Sequence, residues 1–298
     1  MPKLAALRSV LDELYPPAWA ESWDAVGLVC GDPEDEVSRV LFAVDPVQAV
    51  VDEAVAFGAQ LVVTHHPLYL RGTTTVAADT FKGRVVHTLI RNGIGLLVAH
   101  TNADHADPGV SDALAEAVGL RITGPLIPDP SDPEGRRGTG RIGELPEPEP
   151  LAAFAARVAA GLPATAQGVR AAGDPDRPIR RVAVCGGSGD SFFAEVRAAG
   201  VDAYVTADLR HHPASEAREH ADIALVDAAH WATEWPWLRS AERRLLAAAE
   251  KHGWELETRV STHVSDPWTA HAPMAFPATA DATTSATAVA ATGAATAH

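Results

Sequence analysis

The chain has few cysteines, and this shortage excludes two kinds of structure. Its 298 residues include only two cysteines, Cys30 and Cys185. Two thiols cannot build a cysteine metal cluster or a disulfide framework. Each cysteine follows an apolar run, so we interpret both as small buried residues.

Clustered positive charge is also missing. The chain carries 24 Lys and Arg against 39 Asp and Glu, a formal net charge of −15, and it contains no run of basic residues. DNA and anionic membrane surfaces attract clustered Lys and Arg, so we expect the chain to bind neither DNA nor a membrane. A small anionic substrate such as a nucleotide could still bind locally through metal ions.

Long apolar runs are absent as well. No stretch approaches the roughly 20 apolar residues of a membrane span, and the N-terminus lacks the apolar centre of a signal peptide. We therefore expect a cytoplasmic protein.

Short apolar runs of two kinds fill the first half of the chain. Hydrophobic residues make up 47% of the sequence, enough for one large domain or two medium ones. Helical periodicity alternates with short continuous runs, which is typical of an α/β protein. The predicted helices are 4–14, 49–57, 85–91 and 111–118, and the predicted strands are 40–44, 61–63 and 94–99.

The second half repeats the first at a constant spacing. Three markers recur 142 positions later: Arg39 as Arg181, Gly58 as Gly200, and Thr64 as Thr206. The same strand and helix order lies between the markers. We therefore predict a duplicated three-layer α/β architecture, with two related βαβ-containing halves and a site at their interface. Later predicted elements are helices 192–199 and 241–251 and strands 181–184, 223–226 and 255–260.

Composition suggests how these halves are connected. We assign residues 1–124 to the first half, 125–150 to a connecting segment rich in Pro, Gly and charge, and 151–266 to the second half. Residues 138–145 could contribute a strand within the connection. From residue 267 to 298 the chain is rich in Ala and Thr and buries too little surface to order itself, so we predict a disordered tail.

Three clusters of metal-binding side chains follow apolar runs. His65 and His66 come directly after the strand 61–63, where an open α/β sheet places its ligands. Asp104 follows the strand 94–99. His230 and Glu234 are four residues apart, so a helical turn would point both the same way. Alternatively, the His pair bonds backbone or solvent, Asp104 caps the next helix, and His230 and Glu234 form a surface pair.

The order of five motifs makes a resemblance specific. Taken together, the segments resemble the Nif-three-like family, which is often called GTP cyclohydrolase 1 type 2 homologue. The segments are Ser22–Leu28, Thr64–Pro67, His100–Asp104, Gly140–Leu145 and Asp227–Glu234. The resemblance runs from the first helix to about Val260. It implies a duplicated α/β fold, a dinuclear metal centre and a homohexamer ring.

The resemblance also implies a ligand set. By matching position, the ligands are His65, His66, Asp104, His230 and Glu234. Glu234 would bridge two divalent ions, with His65 and His230 on one ion and His66 and Asp104 on the other. Mixed nitrogen and oxygen ligands suit Zn, Mn, Fe, Co or Ni.

Three positions depart from the family's pattern. Ala25, Ala103 and Ala207 stand where the family usually has Asn, Leu and Gly. None of them is a ligand position, so the departures concern the loops near the site.

Three further polar residues have open roles. The resemblance places His212 near the site, where it could be a general acid or base, although a loop histidine is an equal alternative. We interpret His100 as a residue that supports the ligands or the fold. Asp208 lies 142 positions after His66, which places it near the opposite strand end without making it a ligand.

Two other motifs have a functional and a structural interpretation. The glycine turn 186–189, between a strand and a helix, could cradle phosphate, but a plain tight turn is the simpler interpretation. Trp231, Trp235 and Trp237 could form a stacking wall for a base, but such a cluster is more often core or subunit interface.

A dinuclear metal-dependent hydrolase is the leading hypothesis for function. A metal-bridging water would attack a nucleotide, a phosphoester or a cyclic amide. The family name implies ring opening of GTP, although nothing in these residues reads guanine. The alternatives are a non-catalytic metal-binding protein, for storage, delivery or insertion of metal, and a regulatory scaffold.

Overall fold

The computed structural model describes residues 1–272, in which helices and strands interleave. The helices are α1 Leu4–Leu14, α2 Gln48–Phe57, α3 Phe81–Arg91, α4 Thr101–His105, α5 Val110–Ala117, α6 Leu151–Gly161, α7 Phe193–Ala199, α8 His211–His220 and α9 His230–His252. The strands are β1 Gly27–Cys30, β2 Arg39–Ala43, β3 Leu61–Thr64, β4 Gly95–Val98, β5 Arg121–Pro128, β6 Gly138–Pro150, β7 Val169–Ala172, β8 Pro178–Ser188, β9 Ala203–Ala207, β10 Ala224–Ala228 and β11 Glu257–Val260. Residues 273–298, most of the predicted tail, lie outside the described part.

Local sequence signals explain where several helices begin and end. Gly58 and Gly200 end α2 and α7 in the left-handed conformation, which glycine adopts without strain. α3 begins before residue 85, the predicted start, because the Thr80 hydroxyl caps it by accepting a hydrogen bond from the Gly83 amide at 3.0 Å.

Two sheets form the framework. The first has the strand order β1-β4-β3-β2-β11, and the second has the order β5-β6-β8-β9-β10-β7. In the first sheet, β4, β3, β2 and β11 are parallel, and β1 pairs antiparallel with β4. In the second sheet, β8, β9 and β10 are parallel, and β7 pairs antiparallel with β10. Each half therefore contains the same four-stranded arrangement.

Strand register confirms the constant spacing seen in the sequence. Val40 of β2 pairs with Leu61 of β3, and Val182 of β8 pairs with Ala203 of β9. Both differences, 182−40 and 203−61, equal 142. The duplicated α/β architecture predicted from the markers is therefore present.

The predicted connecting segment contains more structure than its composition suggested. Much of 125–150 lies in β5 and β6, antiparallel strands of the second sheet. The prolines of β6 lie at its exposed end, where the register with β8 shifts, and proline is tolerated at such positions. β11, predicted within the second half, instead joins the first sheet beside β2.

Side-chain alternation divides the strands between layers. Val40 of β2 and Val184 of β8 face one central core, whereas Leu41 and Cys185 face outer clusters, with α2 and α3 beside the first sheet and α7 beside the second. Helices α1, α5, α6 and α9 line the central core, so each sheet lies between two helix layers. Cys185 is buried as predicted, whereas Cys30 is partly exposed.

None of the helices within residues 1–272 has the length and apolar content needed to cross a bilayer.

Candidate metal centre

His65 and His66 extend from the carboxyl end of β3 with both inner ring nitrogens already bound. The His66 amide donates to the Val44 carbonyl at 2.9 Å, which continues the strand pairing. His65 is 0% exposed, and its Nδ1 lies 3.0 Å from the Ala99 carbonyl. His66 Nδ1 lies 2.7 Å from Asp45 Oδ1. In both rings Nε2 is therefore left to face the space between the sheets.

Glu234 lies at the centre of this space. α9 begins at His230, so Glu234 sits one turn later on the same face, and His230 Nε2 lies 2.9 Å from Glu234 Oε1. Oε1 is also 3.5 Å from His65 Nε2, and Oε2 is 3.1 Å from His66 Nε2. The carboxylate is only 3% exposed. One buried carboxylate therefore faces three imidazoles with its two oxygens.

Asp104 approaches the same cluster from α4. Its Oδ1 lies 3.7 Å from His65 Nε2. The alternative role of Asp104, capping the next helix, belongs instead to Gly109 and Asp112 at the start of α5. The structure thus brings the five residues of the implied ligand set together.

The His100 ring lies directly beside the rings of His65 and His66. Its ring centroid is 5.1 Å from that of His65 and 5.6 Å from that of His66. His100 Nδ1 lies 2.8 Å from Asp24 Oδ1, and Asp24 also accepts hydrogen bonds from the Thr101 amide and hydroxyl. Asp24 therefore fixes both the His100 ring and the start of α4.

Carboxylates outside the cluster orient its histidines. Asp45 binds Nδ1 of His66, and Asp208 binds Nδ1 of His230 at 2.6 Å. Such outer partners fix the tautomer and direct the Nε2 lone pair toward a metal. Sequence reasoning missed the role of Asp45, although it follows strand β2 just as the histidines follow β3. The 142-residue offset places Asp208 near the end of the equivalent strand, and the structure confirms this position after β9. The offset did not predict its contact with His230.

The Glu234 carboxylate shifts the pKa values of the histidines around it. Burial alone lowers the pKa of His66, but attraction to Glu234 and bonding to Asp45 outweigh burial and raise that pKa to about 10. Attraction to Glu234 likewise raises the pKa of His230 to about 11. Burial raises the pKa of Glu234, yet the surrounding imidazoles outweigh it and hold that pKa well below its usual range.

The donor atoms fit a metal ion. Two sets of side chains have ligand atoms within 4.8 Å of one another: His65, His66 and His100, and His66, His230 and Glu234. Among the described residues, His65 Nε2 is buried without a hydrogen-bond partner, and buried Glu234 Oε2 has an ion-pair contact with His66 Nε2 at 3.1 Å in place of a hydrogen bond. Such an orphaned atom is costly unless it has a ligand, and imidazole with carboxylate is a common donor set for transition metals. The cluster could therefore hold metal.

A cavity of about 420 Å³ opens beside the cluster, and β8 contributes one of its walls. The glycines at 186 and 187 are part of β8 rather than a separate turn. Gly187 has a φ of +67°, and a Cβ there would lie 2.5 Å from Glu234 Oε1 and 3.0 Å from His230 Nε2. Only glycine lets this strand approach the cluster so closely.

Other residues singled out in the sequence lie elsewhere. His212 is exposed on the first turn of α8, with its ring against His211, and it does not line the cavity. Trp237 is fully buried, with its ring 5.3 Å from that of His65, so it supports the cluster from behind. Trp231 is also buried. The tryptophan that lines the cavity is Trp23, whose motif was noted without a role for the ring.

Comparison with solved structures identifies the fold. The Bacillus cereus protein related to NIF3 aligns with a TM-score of 0.83 at 24% identity, covering 90% of this chain and 98% of that one. The Staphylococcus aureus hypothetical protein SA1388 aligns with a TM-score of 0.82 at 29% identity, covering 90% of this chain and 99% of that one. The duplicated architecture is thus shared with these proteins.

Sequence comparison identifies the family. A protein of Streptomyces coelicolor called GTP cyclohydrolase 1 type 2 homolog is 67% identical over 271 residues, which cover 91% of this chain and 95% of the relative. The model of the Duf34/NIF3 (NGG1p interacting factor 3) family matches residues 2–267. The chain therefore belongs to the DUF34/NIF3 family.

Proposed function

We propose that the chain is a dinuclear metal-dependent hydrolase. The observation that carries this proposal is Glu234, a buried carboxylate whose two oxygens face different imidazoles. Oε1 approaches His65 and His230, and Oε2 approaches His66. This division supports a bridge between two ions, with His65 and His230 on one ion and His66 on the other. The family resemblance adds Asp104 to the ion of His66, whereas the distance of 3.7 Å in the structure joins Asp104 to His65.

The residues of the chain would prepare this centre for hydrolysis. Divalent ions such as Zn, Mn, Fe, Co or Ni acidify bound water and polarise an electrophilic group. Asp45 and Asp208 keep two ligand imidazoles in the tautomer that presents Nε2. The cavity beside Glu234 gives a substrate access to the cluster. A nucleotide, a phosphoester or a cyclic amide fits this chemistry.

Metal analysis tests the ligand set. We expect the purified protein, stripped by a chelator and reloaded, to bind two equivalents of one of these metals per chain. His65→Ala should lose metal, whereas His220→Ala, an exposed histidine of α8, should not. Full metal retention by an Asp104→Ala, Glu234→Ala double variant would contradict the assignment.

An activity screen then tests hydrolysis. We expect reloaded protein to hydrolyse a member of a nucleotide and phosphoester panel, and His65→Ala to lose that rate while His220→Ala keeps it. A rate that survives metal loss does not come from this centre. Stable metal binding without turnover across the panel would instead favour metal storage, delivery or insertion, or a regulatory scaffold.

Two further features are proposed on the family resemblance. His212 would act as a general acid or base for a substrate that reaches α8. Six chains would assemble into a ring. Sedimentation velocity measures the assembly directly, and a species with the mass of one chain at all concentrations would contradict the ring.

A further inference from the structure

We infer that the cavity beside the metal cluster takes a flat heteroaromatic compound that is neutral or singly charged, and that it disfavours a nucleoside triphosphate. This inference rests on the proposed function, because it names the substrate class of the same site.

The lining of the cavity lacks the charges that a triphosphate needs. Among the described residues that line it there is no Lys or Arg, whereas Glu21, Asp104 and Glu234 are acidic. With two divalent ions bound, the three carboxylates would leave the cavity with only a small net positive charge. Triphosphate recognition ordinarily adds several Arg, Lys or backbone N–H donors to the metal. Most of the charge of a triphosphate would remain uncompensated here.

Arginines close to this region have partners already. Arg141 is buried and ion-paired with Asp112 at 2.8 Å. Arg137 stacks on Trp19, with its guanidinium carbon 4.3 Å from the ring centroid, and pairs with Asp129. Neither arginine could turn toward a phosphate without breaking these contacts.

The glycine-rich end of β8 does not replace the missing cations. A phosphate cradle needs free backbone amides. The Gly187 amide donates to the Thr233 hydroxyl at 2.9 Å, and the Gly186 amide donates to Ser111 Oγ at 3.4 Å. The phosphate-cradle interpretation of this segment therefore loses two of its donors, and tight packing against Glu234 explains the glycines instead.

Aromatic rings and hydroxyls are what the cavity wall does offer. Trp23 is 57% exposed and meets the His100 ring edge-on at 6.1 Å, and Phe192 also lines the cavity. Exposed aromatic faces stack flat rings, and Ser188 and Ser191 add exposed hydroxyls for ring substituents. A heteroaromatic ring uses both the aromatic faces and the hydroxyls, whereas a phosphate chain uses only the hydroxyls.

A calorimetric titration series tests the substrate class. Metal-loaded protein, freed of excess metal by gel filtration, is titrated with guanosine, GMP, GTP, pterin and ribose 5-phosphate. We expect the neutral ring compounds to bind, GTP to bind about tenfold more weakly than guanosine, and ribose 5-phosphate not to bind. Metal content is measured again after each titration, so that stripping of metal by GTP is not counted as binding.

Variants test the aromatic wall. Trp23→Ala should weaken guanosine binding about tenfold, the loss typical of removing one stacking partner, with metal content unchanged. Phe81→Ala removes an exposed ring outside the cavity and should change neither quantity. Tighter binding of GTP than of guanosine, equal binding by Trp23→Ala, or no binding of any neutral ring compound up to its solubility limit would overturn the inference. Failure of the metal centre itself would appear separately, as absent metal in the unmodified protein.

Discussion

The carboxyl ends of β3 and β9 are the same position of a duplicated unit, yet they carry different chemistry. β3 continues into His65 and His66, whereas β9 ends at Ala207 and continues into Asp208, 142 residues later. His66 faces Glu234 directly, whereas Asp208 binds the outer nitrogen of His230. One repeat places imidazoles at this strand end, and the other places a carboxylate that orients an imidazole.

The ends of β2 and β8 differ in a complementary way. Asp45 follows β2 and holds His66, whereas Gly187, again 142 residues later, has no side chain and packs against Glu234. Two repeats with the same strand order can therefore build one asymmetric site, because equivalent strand ends carry different side chains. The backbone differs there as well, since Asp208 and Gly187 have φ values of 57° and 67° in the left-handed region.

Glu234→Gln should have the largest effect on metal binding. Gln keeps the shape of the Glu234 side chain but removes the negative charge that faces imidazoles from both repeats. We therefore expect metal affinity to fall by more than about 100-fold, a larger loss than the one expected when an outer partner is changed. Elemental analysis and metal titration measure this. Glu250→Gln, on the exposed end of α9, is the matched control. Unchanged metal content in Glu234→Gln would remove this residue from the ligand set.

Gly187→Ala should disturb the packing of β8, in the second repeat, against Glu234. The new methyl would lie 2.5 Å from Glu234 Oε1, so we expect metal loss together with a backbone cost of about 1–2 kcal/mol in unfolding free energy. Gly93→Ala is the control, since Gly93 has a φ of +63° and open space around it. Gly93→Ala should carry the backbone cost alone. Denaturant unfolding and metal content separate the two effects, and equal metal loss in both variants would refute the packing argument.

Asp45→Asn and Asp208→Asn test how much the outer carboxylates contribute to metal affinity. Each variant keeps the size of an outer partner but weakens its hold on an imidazole, His66 or His230, so we expect metal affinity to fall about 10–100-fold in both. Asp35→Asn, an exposed control, should leave it unchanged. If only one of the two variants weakened binding, the two outer carboxylates would not contribute alike to the metal centre.

His212→Ala should have the smallest effect on metal and stability. The residue is exposed on α8 and does not line the cavity, so we expect unchanged metal content and an unfolding free energy within about 0.5 kcal/mol of the unmodified protein. If His212 is the general acid or base, the rate found in the screen should nevertheless fall about 100-fold. An unchanged rate would end that assignment.

Much of the fold was predictable, and so was part of the site. The apolar runs of β2, β3 and β4 and the glycine ends of α2 and α7 are local signals, and the structure confirms them. The i,i+4 spacing of His230 and Glu234 predicted their shared face, which a helical turn fixes by geometry alone. The constant offset of 142 predicted the duplication.

Other features depended on contacts between distant parts of the chain. The sequence predicts a connection over 125–150, with a possible strand over 138–145, because its prolines and charges are typical of a linker. Only pairing with β5 and β8 extends that strand to Gly138–Pro150. The position of β11 in the first sheet was not predictable, because its pairing with β2 is a long-range contact that no local pattern encodes. Asp24 lies in the motif Ser22–Leu28 and Asp45 follows β2, but these positions did not predict their partners. Each carboxylate becomes a partner only where His100 or His66 is brought beside it.

The sequence by itself determined the secondary structure of the parallel strands, the duplication and the residue types that could bind metal, because periodicity and donor chemistry are local properties. Only the tertiary structure decided that Glu234 stands between three imidazoles and that outer carboxylates orient the rings. It also decided that Trp23, and no Lys or Arg of residues 1–272, lines the cavity. Distances between atoms far apart in the chain arise from packing, and packing sums many weak contacts that no single segment specifies.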